Sequence, residues 1–219
     1  FVFPGDITYD NDQAAPRNYI IDQTANPNIT YEGDVTISET GGGTLTLNKG
    51  TGTITFDGST TYTDDVGVNL GDVEISATTF TPATNMECDD LTGLNGGFMD
   101  GGGADPGVTF TINGDLDWQA GFTVQSTFIK GSTWDVTGNF TANGQSMAAG
   151  GGEWFLNIGG TAVASGAGDV KDSNAGGTEI DASANPWTDS GGNTNWNFGA
   201  AGLSISIAMH HYKQMMGVN

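Results

Sequence analysis

One phrase recurs along the chain and limits what the chain can become. It stands at Tyr31-Glu-Gly-Asp-Val-Thr-Ile37, Asn69-Leu-Gly-Asp-Val-Glu-Ile75, Ile112-Asn-Gly-Asp-Leu-Asp-Trp118 and Val136-Thr-Gly-Asn-Phe-Thr-Ala142. Each copy has a glycine, then Asp or Asn, then apolar and polar residues in alternation. The glycine suits a turn with positive φ. The alternation marks a short β-strand with one buried face. Weaker copies lie at Gly52-Thr-Ile-Thr-Phe56, Thr92-Gly-Leu94 and Gly159-Gly-Thr-Ala-Val163. Glycines 33, 52, 71, 93, 114, 138 and 160 are then separated by about 19, 19, 22, 21, 24 and 22 residues, the period of stacked rungs.

Composition agrees with many tight turns between short strands. The chain has 36 glycines in 219 residues, and Thr, Asn, Asp and Ser dominate its polar residues. A Gly-rich acidic chain can be too polar to fold. Here 11 Phe, 5 Trp and 5 Tyr argue against that, because they fall within the alternating runs. Helix signals are almost absent, since no apolar i, i+3, i+4 pattern persists.

The formal charge is −21, with Arg17, Lys49, Lys130, Lys171 and Lys213 as the only cations besides histidine. Nucleic-acid binding needs a basic surface to replace counterions, so this balance argues against it. It argues equally against an anionic membrane surface, and no stretch is apolar for long enough to span a bilayer. Cys88 is the single cysteine, so no internal disulfide exists, and a buried small hydrophobe is its simplest role. The first residue is Phe1 rather than Met, as expected where a leader has been removed or the chain trimmed.

Three segments are expected. Residues 1–30 are turn-rich and read as an N-terminal cap or assembly segment, since the open edge of a first rung needs cover. Residues 31–198 form the solenoid body. Thr44-Leu-Thr-Leu47 and Thr53-Ile-Thr-Phe56 read there as hairpin-like or consecutive strands. Residues 199–219 change character: after a Gly-Ala-Ala-Gly hinge, Leu203, Ile205, Ile207 and Met209 alternate onto one face, followed by His210, His211, Tyr212 and Lys213. This tail either caps its own solenoid or adds a strand to a neighbour's edge. Lys213, and the histidines when protonated, would favour an acidic partner.

The closing stretch of the body, Asp172-Ser-Asn-Ala-Gly-Gly-Thr-Glu-Ile-Asp-Ala182 leading to Asn193-Thr-Asn-Trp-Asn-Phe198, carries a resemblance. It resembles the ending of Gly/Asn/Thr-rich β-helical surface proteins of bacteria and of decoration or fibre-like structural proteins of tailed-phage virions. The resemblance covers residues 165–198. It implies a β-helical fold, with Trp196 and Phe198 closing the last rung.

β-Helical glycan-cleaving enzymes use convergent carboxylates, and the lyases among them add a basic residue. Asp64-Asp65 and Asp89-Asp90 are adjacent, but neighbours on a strand point to opposite faces. The Gly-His-Gly and Arg-x-Lys signatures of β-helical hydrolases are missing, and both histidines lie in the tail. His210-His211 lacks the spaced partners of a zinc site. Structural Ca²⁺ is the metal that the carboxylates could hold. Asp100 and Asp105 flank a Gly loop, Asp169 and Asp172 (with Asp181) lie in the closing stretch, and Asp10-Asn-Asp12 and Asp115-Leu-Asp117 offer alternating oxygens. Trp118, Trp134 and Trp187 could stack on sugars, although core packing is more economical for the first two.

The expectation is an all-β parallel β-helix or β-solenoid of about seven rungs, with a β-sandwich or jelly roll as the alternative architecture. The expected function is that of a non-enzymatic structural protein on a virion surface or outside the cell. It would form a homo-oligomer or join neighbouring structural subunits through Leu203, Ile205, Ile207, Met209, His210, Tyr212 and Lys213. It needs no cofactor other than a structural Ca²⁺, binds no nucleic acid and does not insert into a membrane. A secreted adhesin or filament subunit, and a glycan-binding or glycan-cleaving β-helix, are the competing readings. A host-surface glycan is the further partner such a protein could engage.

Overall fold

A computed structural model of the chain describes residues 1–12, 19–41, 43–100, 107–124, 129–148 and 152–199. The described strands fall on three faces, and the chain visits the faces in the same order on every turn. The first face is one ten-stranded sheet running Val2–Phe3, Ile29–Tyr31, Thr53–Phe56, Asp72–Ile75, Leu91–Gly93, Leu116–Trp118, Phe140–Asn143, Ala162–Ser165, Ile180–Asp181 and Trp196–Asn197. The second face begins with six strands, from Ile7–Asp10 to Thr123–Val124. It continues in a three-stranded sheet of Ser146–Ala148, Asp169–Lys171 and Thr188–Asp189. The third face carries Tyr19–Asp22 beside Leu45–Asn48, and then five strands from Met86–Cys88 to Ser173–Gly177.

Among the described residues every strand pair is parallel. A parallel neighbour cannot be reached by a tight hairpin, so the chain must travel round before it returns. Here the other two faces form that crossover. The third and ninth turns touch the third face only as isolated bridges, Asn69 to Glu87 and Asn174 to Thr194. Over the described residues the chain is therefore a parallel β-solenoid with about seven turns that carry strands on all three faces. The sandwich or jelly-roll alternative fails, because those folds are built from antiparallel strands. Nor do Thr44–Leu47 and Thr53–Phe56 make a hairpin. Leu45–Asn48 lies on the third face and Thr53–Phe56 on the first, each paired with the turn before.

Val2–Phe3, Ile7–Asp10 and Tyr19–Asp22 supply the strands of the first turn, with Ile7 beside Val35 and Tyr19 beside Leu45. The stretch read as a cap thus carries strands in register with the body, and Ile29–Tyr31 already belongs to the second turn.

Alternation decides which side chains enter the interior. Strand after strand shows partly exposed and buried residues in turn, as in Thr53–Phe56, Asp72–Ile75 and Thr109–Ile112. The inward residues stack along the axis. Phe3, Tyr31 and Phe56 form one column, with centroids 5.5 and 5.9 Å apart. Trp134 lies 4.0 Å from Phe110 in a parallel stack and meets Trp118 edge-on at 5.2 Å. The Trp134 indole N–H donates to Ser132 Oγ at 2.8 Å. Trp118 and Trp134 are wholly buried, so they are core residues and present no sugar-stacking surface.

The recurring glycines do a different job from the one expected. Gly71 has φ +81°, but Gly33, Gly114 and Gly138 are outside the left-handed region. They are glycines because the turn before lies against them. A Cβ on Gly138 would stand 2.5 Å from the carbonyl oxygen of Gly114 and 2.6 Å from its carbon. One on Gly33 would stand 2.5 Å from the carbonyl carbon of Gly5. The period was read correctly, but its phase slips twice. Gly33 precedes the second-face strand Val35–Ser38, and Gly93 ends the first-face strand Leu91–Gly93.

Candidate functional site

The most organised chemistry on the surface lies at the corners of the stack. In three copies of the recurring phrase the Asp or Asn sits there (Asp34, Asp115 and Asn139) and its side-chain oxygen accepts a backbone N–H from the following turn, whereas Asp72 opens the strand Asp72–Ile75. Asp90 accepts from Asp115 at 2.7 Å, and Asp115 from Asn139 at 2.7 Å. Asn139 in turn accepts both the N–H and the hydroxyl of Thr161, at 2.9 and 2.7 Å. The neighbouring corner repeats this, with Asp6 accepting from Asp34 at 3.0 Å and Asp34 from Thr61 at 2.7 Å. Asn28 and Asn85 do likewise for Thr53 and Thr109. A carboxylate accepting from backbone N–H makes a charge-assisted bond, stronger than a neutral one. The Gly-Asp pair is thus one device: the glycine lets two turns approach, and the acid ties them.

The adjacent acids are separated as strand geometry requires. Asp64 is buried and enclosed by its own loop. It accepts N–H bonds from Val66, Gly67 and Val68, each at 2.8 Å, and the Tyr62 hydroxyl at 3.0 Å. Asp65 faces solvent. Asp89 pairs with Lys49 and accepts from Asn69 at 3.1 Å. Partial burial opposes its charge, but the bonds from Lys49 and Asn69 and the Lys49 charge prevail, holding its carboxyl below the usual range. Asp90 belongs to the corner ladder. Neither pair forms a facing acid and base.

The candidate metal ligands are dispersed. Asp100 follows the second-face strand Phe98–Met99, and its N–H donates to Phe80 O. Asp105 lies outside the described residues. Asp169 accepts the Ser190 hydroxyl at 2.6 Å. Asp172 has φ +55° and lies 3.8 Å from Lys171 Nζ. Asp181 is on the first face, tied to the Ser183 hydroxyl and N–H, which lower its pKa. Asp10 accepts the hydroxyls of Thr40 and Ser38. Asp117 faces outward between Thr92 and Thr141, and partial burial raises its pKa. Among the described residues no group of three or more His, Cys, Asp and Glu is disposed to hold a metal ion. Cys88 is buried, and burial, followed by the charges of Asp89 and Asp90, pushes its thiol well above the ordinary range. The expected assembly residues Leu203, Ile205, Ile207, Met209, His210, Tyr212 and Lys213 lie outside the described residues.

Sequence reasoning missed one feature of the last turn. Trp187, Trp196 and Phe198 form a run of rings, with centroid separations of 5.8 and 6.1 Å. With Glu179 and Asp189 they line an open recess of about 640 Å³. The Asn-Thr-Asn-Trp-x-Phe ending placed two of these rings at the last turn. The folding of Trp187 against them was not readable, because it depends on how the second face returns to the first.

Comparison with known proteins adds no relative: no family model, no curated protein and no solved structure matches this chain. The class that fold and surface define is an acidic, all-β parallel β-solenoid.

Proposed function

We propose that this chain is a non-enzymatic structural protein on the surface of an assembly, and within that class a tailed-phage virion component of the head-decoration or fibre-like kind. The observation that carries the reading is how the carboxylates are used. Asp6, Asp34, Asp90 and Asp115 tie successive turns together, and Asp64 is enclosed by backbone donors. Side chains committed to such bonds serve a rigid, repetitive rod better than acid–base chemistry. The net charge of −21 suits a position facing solvent rather than nucleic acid. The resemblance of the closing stretch to virion and bacterial surface proteins points the same way.

A glycan-binding role has one specific observation in its favour, the recess lined by half-buried Trp196 and Phe198, by Glu179 and Asp189 and by Trp187, whose ring is itself buried and so presents little sugar-stacking surface. Rings and carboxylates can stack on sugar faces and bond to hydroxyls. A secreted adhesin or filament subunit would use the same rod.

Antibodies to the chain, applied to gradient-purified particles and to cells of the source material, test the reading. Label on the outside of virus-sized particles is expected. Label confined to cell surfaces would replace the virion reading with the adhesin one. Cleavage of any member of a polysaccharide panel by the purified chain would overturn the non-enzymatic assignment.

A further inference from the structure

We infer that Lys49, Asn69 and Asp89 form a self-modification site, where the Lys49 amine displaces ammonia from the Asn69 carboxamide and leaves an amide bond between the two side chains. The site does not depend on where the chain works. Its setting is a break in the third face. The sheet of Tyr19–Asp22 and Leu45–Asn48 ends there, and the five-stranded sheet begins only at Met86–Cys88. Between them Asn69 crosses as an isolated bridge to Glu87. Lys49 follows the strand Leu45–Asn48 and lies over this crossing, since a Cβ on Gly71 would stand 3.6 Å from both its Cβ and its Cδ. Its amine reaches both carboxylate oxygens of Asp89, on the turn beyond. Asn69 Nδ2 donates to Asp89 Oδ1 at 3.1 Å and to Glu87 Oε1 at 3.3 Å. Amine and carboxamide therefore rest on one carboxylate oxygen, with the Lys49 and Asp89 side chains only 34 and 38 % exposed.

Each residue has a role in the step. The Asp89 carboxylate takes a proton from the Lys49 ammonium, and the freed lone pair on Nζ attacks Cγ of Asn69. Asn69 Oδ1 accepts the Gly71 N–H at 2.8 Å, a donor already in place for the negative charge that develops on that oxygen. On collapse the Nζ–Cγ bond stays and the Cγ–Nδ2 bond breaks. The two protons shed by Nζ leave on the departing nitrogen, so the products are an amide and ammonium, and Asp89 is a carboxylate again. No oxidant or cofactor is consumed. One turnover per chain is enough, so a contact held for the life of the fold compensates for a weak base. The backbone nitrogen of Leu70, the rival nucleophile for the same carbon, is held by its bond to Glu87 O at 3.0 Å. The new bond would staple the stack where the third face has no continuous sheet.

Intact-mass spectrometry of the purified full chain, after prolonged incubation at neutral to mildly alkaline pH, tests it. The chain should be lighter than its sequence mass by about 17 Da, the ammonia lost on forming the cross-link. Trypsin applied to the unfolded product should not cut after Lys49, and the digest should hold a branched peptide containing Lys49 and Asn69. Lys49→Arg keeps a cation opposite Asp89 and should show the full mass with an unchanged circular dichroism spectrum. Asp89→Ala should likewise keep its full mass. A parent chain that stays at its sequence mass would overturn the inference. So would a loss of the same size that persists in Lys49→Arg, since it would lie elsewhere in the chain.

Discussion

At the scale of single residues, the fold depends on the Gly-Asp pair. Its glycine is a packing residue at Gly138, where any side chain meets the backbone of Gly114 and the Asp115 carboxylate. Gly138→Ala is expected to cost about 1–3 kcal/mol, the range for a forced clash at a packed site. Gly5→Ala is the control, since nothing lies within 4 Å of a Cβ there, and its urea midpoint should stay near that of the parent. Equal midpoints for the two variants would contradict the packing argument. The sequence showed the glycines and their period. It could not show why they are glycines, because a residue that turns the chain and a residue that admits a neighbour look the same on paper. The same limit applied to the acids. Asp169, Asp172 and Asp181 are near in sequence, but Asp181 is on the first face and Asp169 on the second.

At the scale of strands, alternation made most of the body legible, because a two-residue period survives even in strands of three or four residues. The phase slip at Gly33 has a physical cause: two corners of the stack use the same Gly-Asp wording, so sequence alone does not tell one corner from the next. Gly93 differs, since it ends the strand Leu91–Gly93 and is followed by Leu94. Packing along the axis was hidden for a similar reason, since ring contacts join residues a full turn apart. Trp134 makes the strongest case. It stacks on Phe110, meets Trp118 edge-on and donates to Ser132. Trp134→Ala should leave a cavity and cost about 3–5 kcal/mol by chemical denaturation. A loss below about 1 kcal/mol would mean that the neighbouring turns collapse into the space.

At the scale of the whole molecule, charge governs the response to pH. Asp10 and Asp22 are held below the ordinary carboxylate range chiefly by the hydroxyls of Thr40 and Thr24, and Asp181 by that of Ser183. Asp89 is held low by Lys49 and Asn69 against the effect of burial. A carboxyl lower in the folded than in the unfolded chain stabilises the fold above its unfolded pKa. That contribution is lost as pH falls through the folded value. Asp117 is raised by burial and has the opposite sign, its contribution being lost as pH rises through its folded pKa. Four lowered groups outnumber one raised group. The melting temperature should therefore fall as pH drops below about 4, where unfolded carboxylates begin to bind protons. A melting temperature that holds or rises down to pH 2.5 would show that relief of charge repulsion outweighs these bonds.

The corner ladder also has a direction. In Asp6, Asn28, Asp34, Asn85, Asp90, Asp115 and Asn139 the acceptor belongs to the earlier turn and the donor to the later one. Asn193, which accepts the N–H of Ser173, runs the other way near the end of the stack. During synthesis the earlier turn leaves the ribosome first. Each new turn then arrives at a surface whose acceptors are already in place, so translation order and template order coincide. A rod built this way can grow from its N-terminal end while its C-terminal turns are still being made.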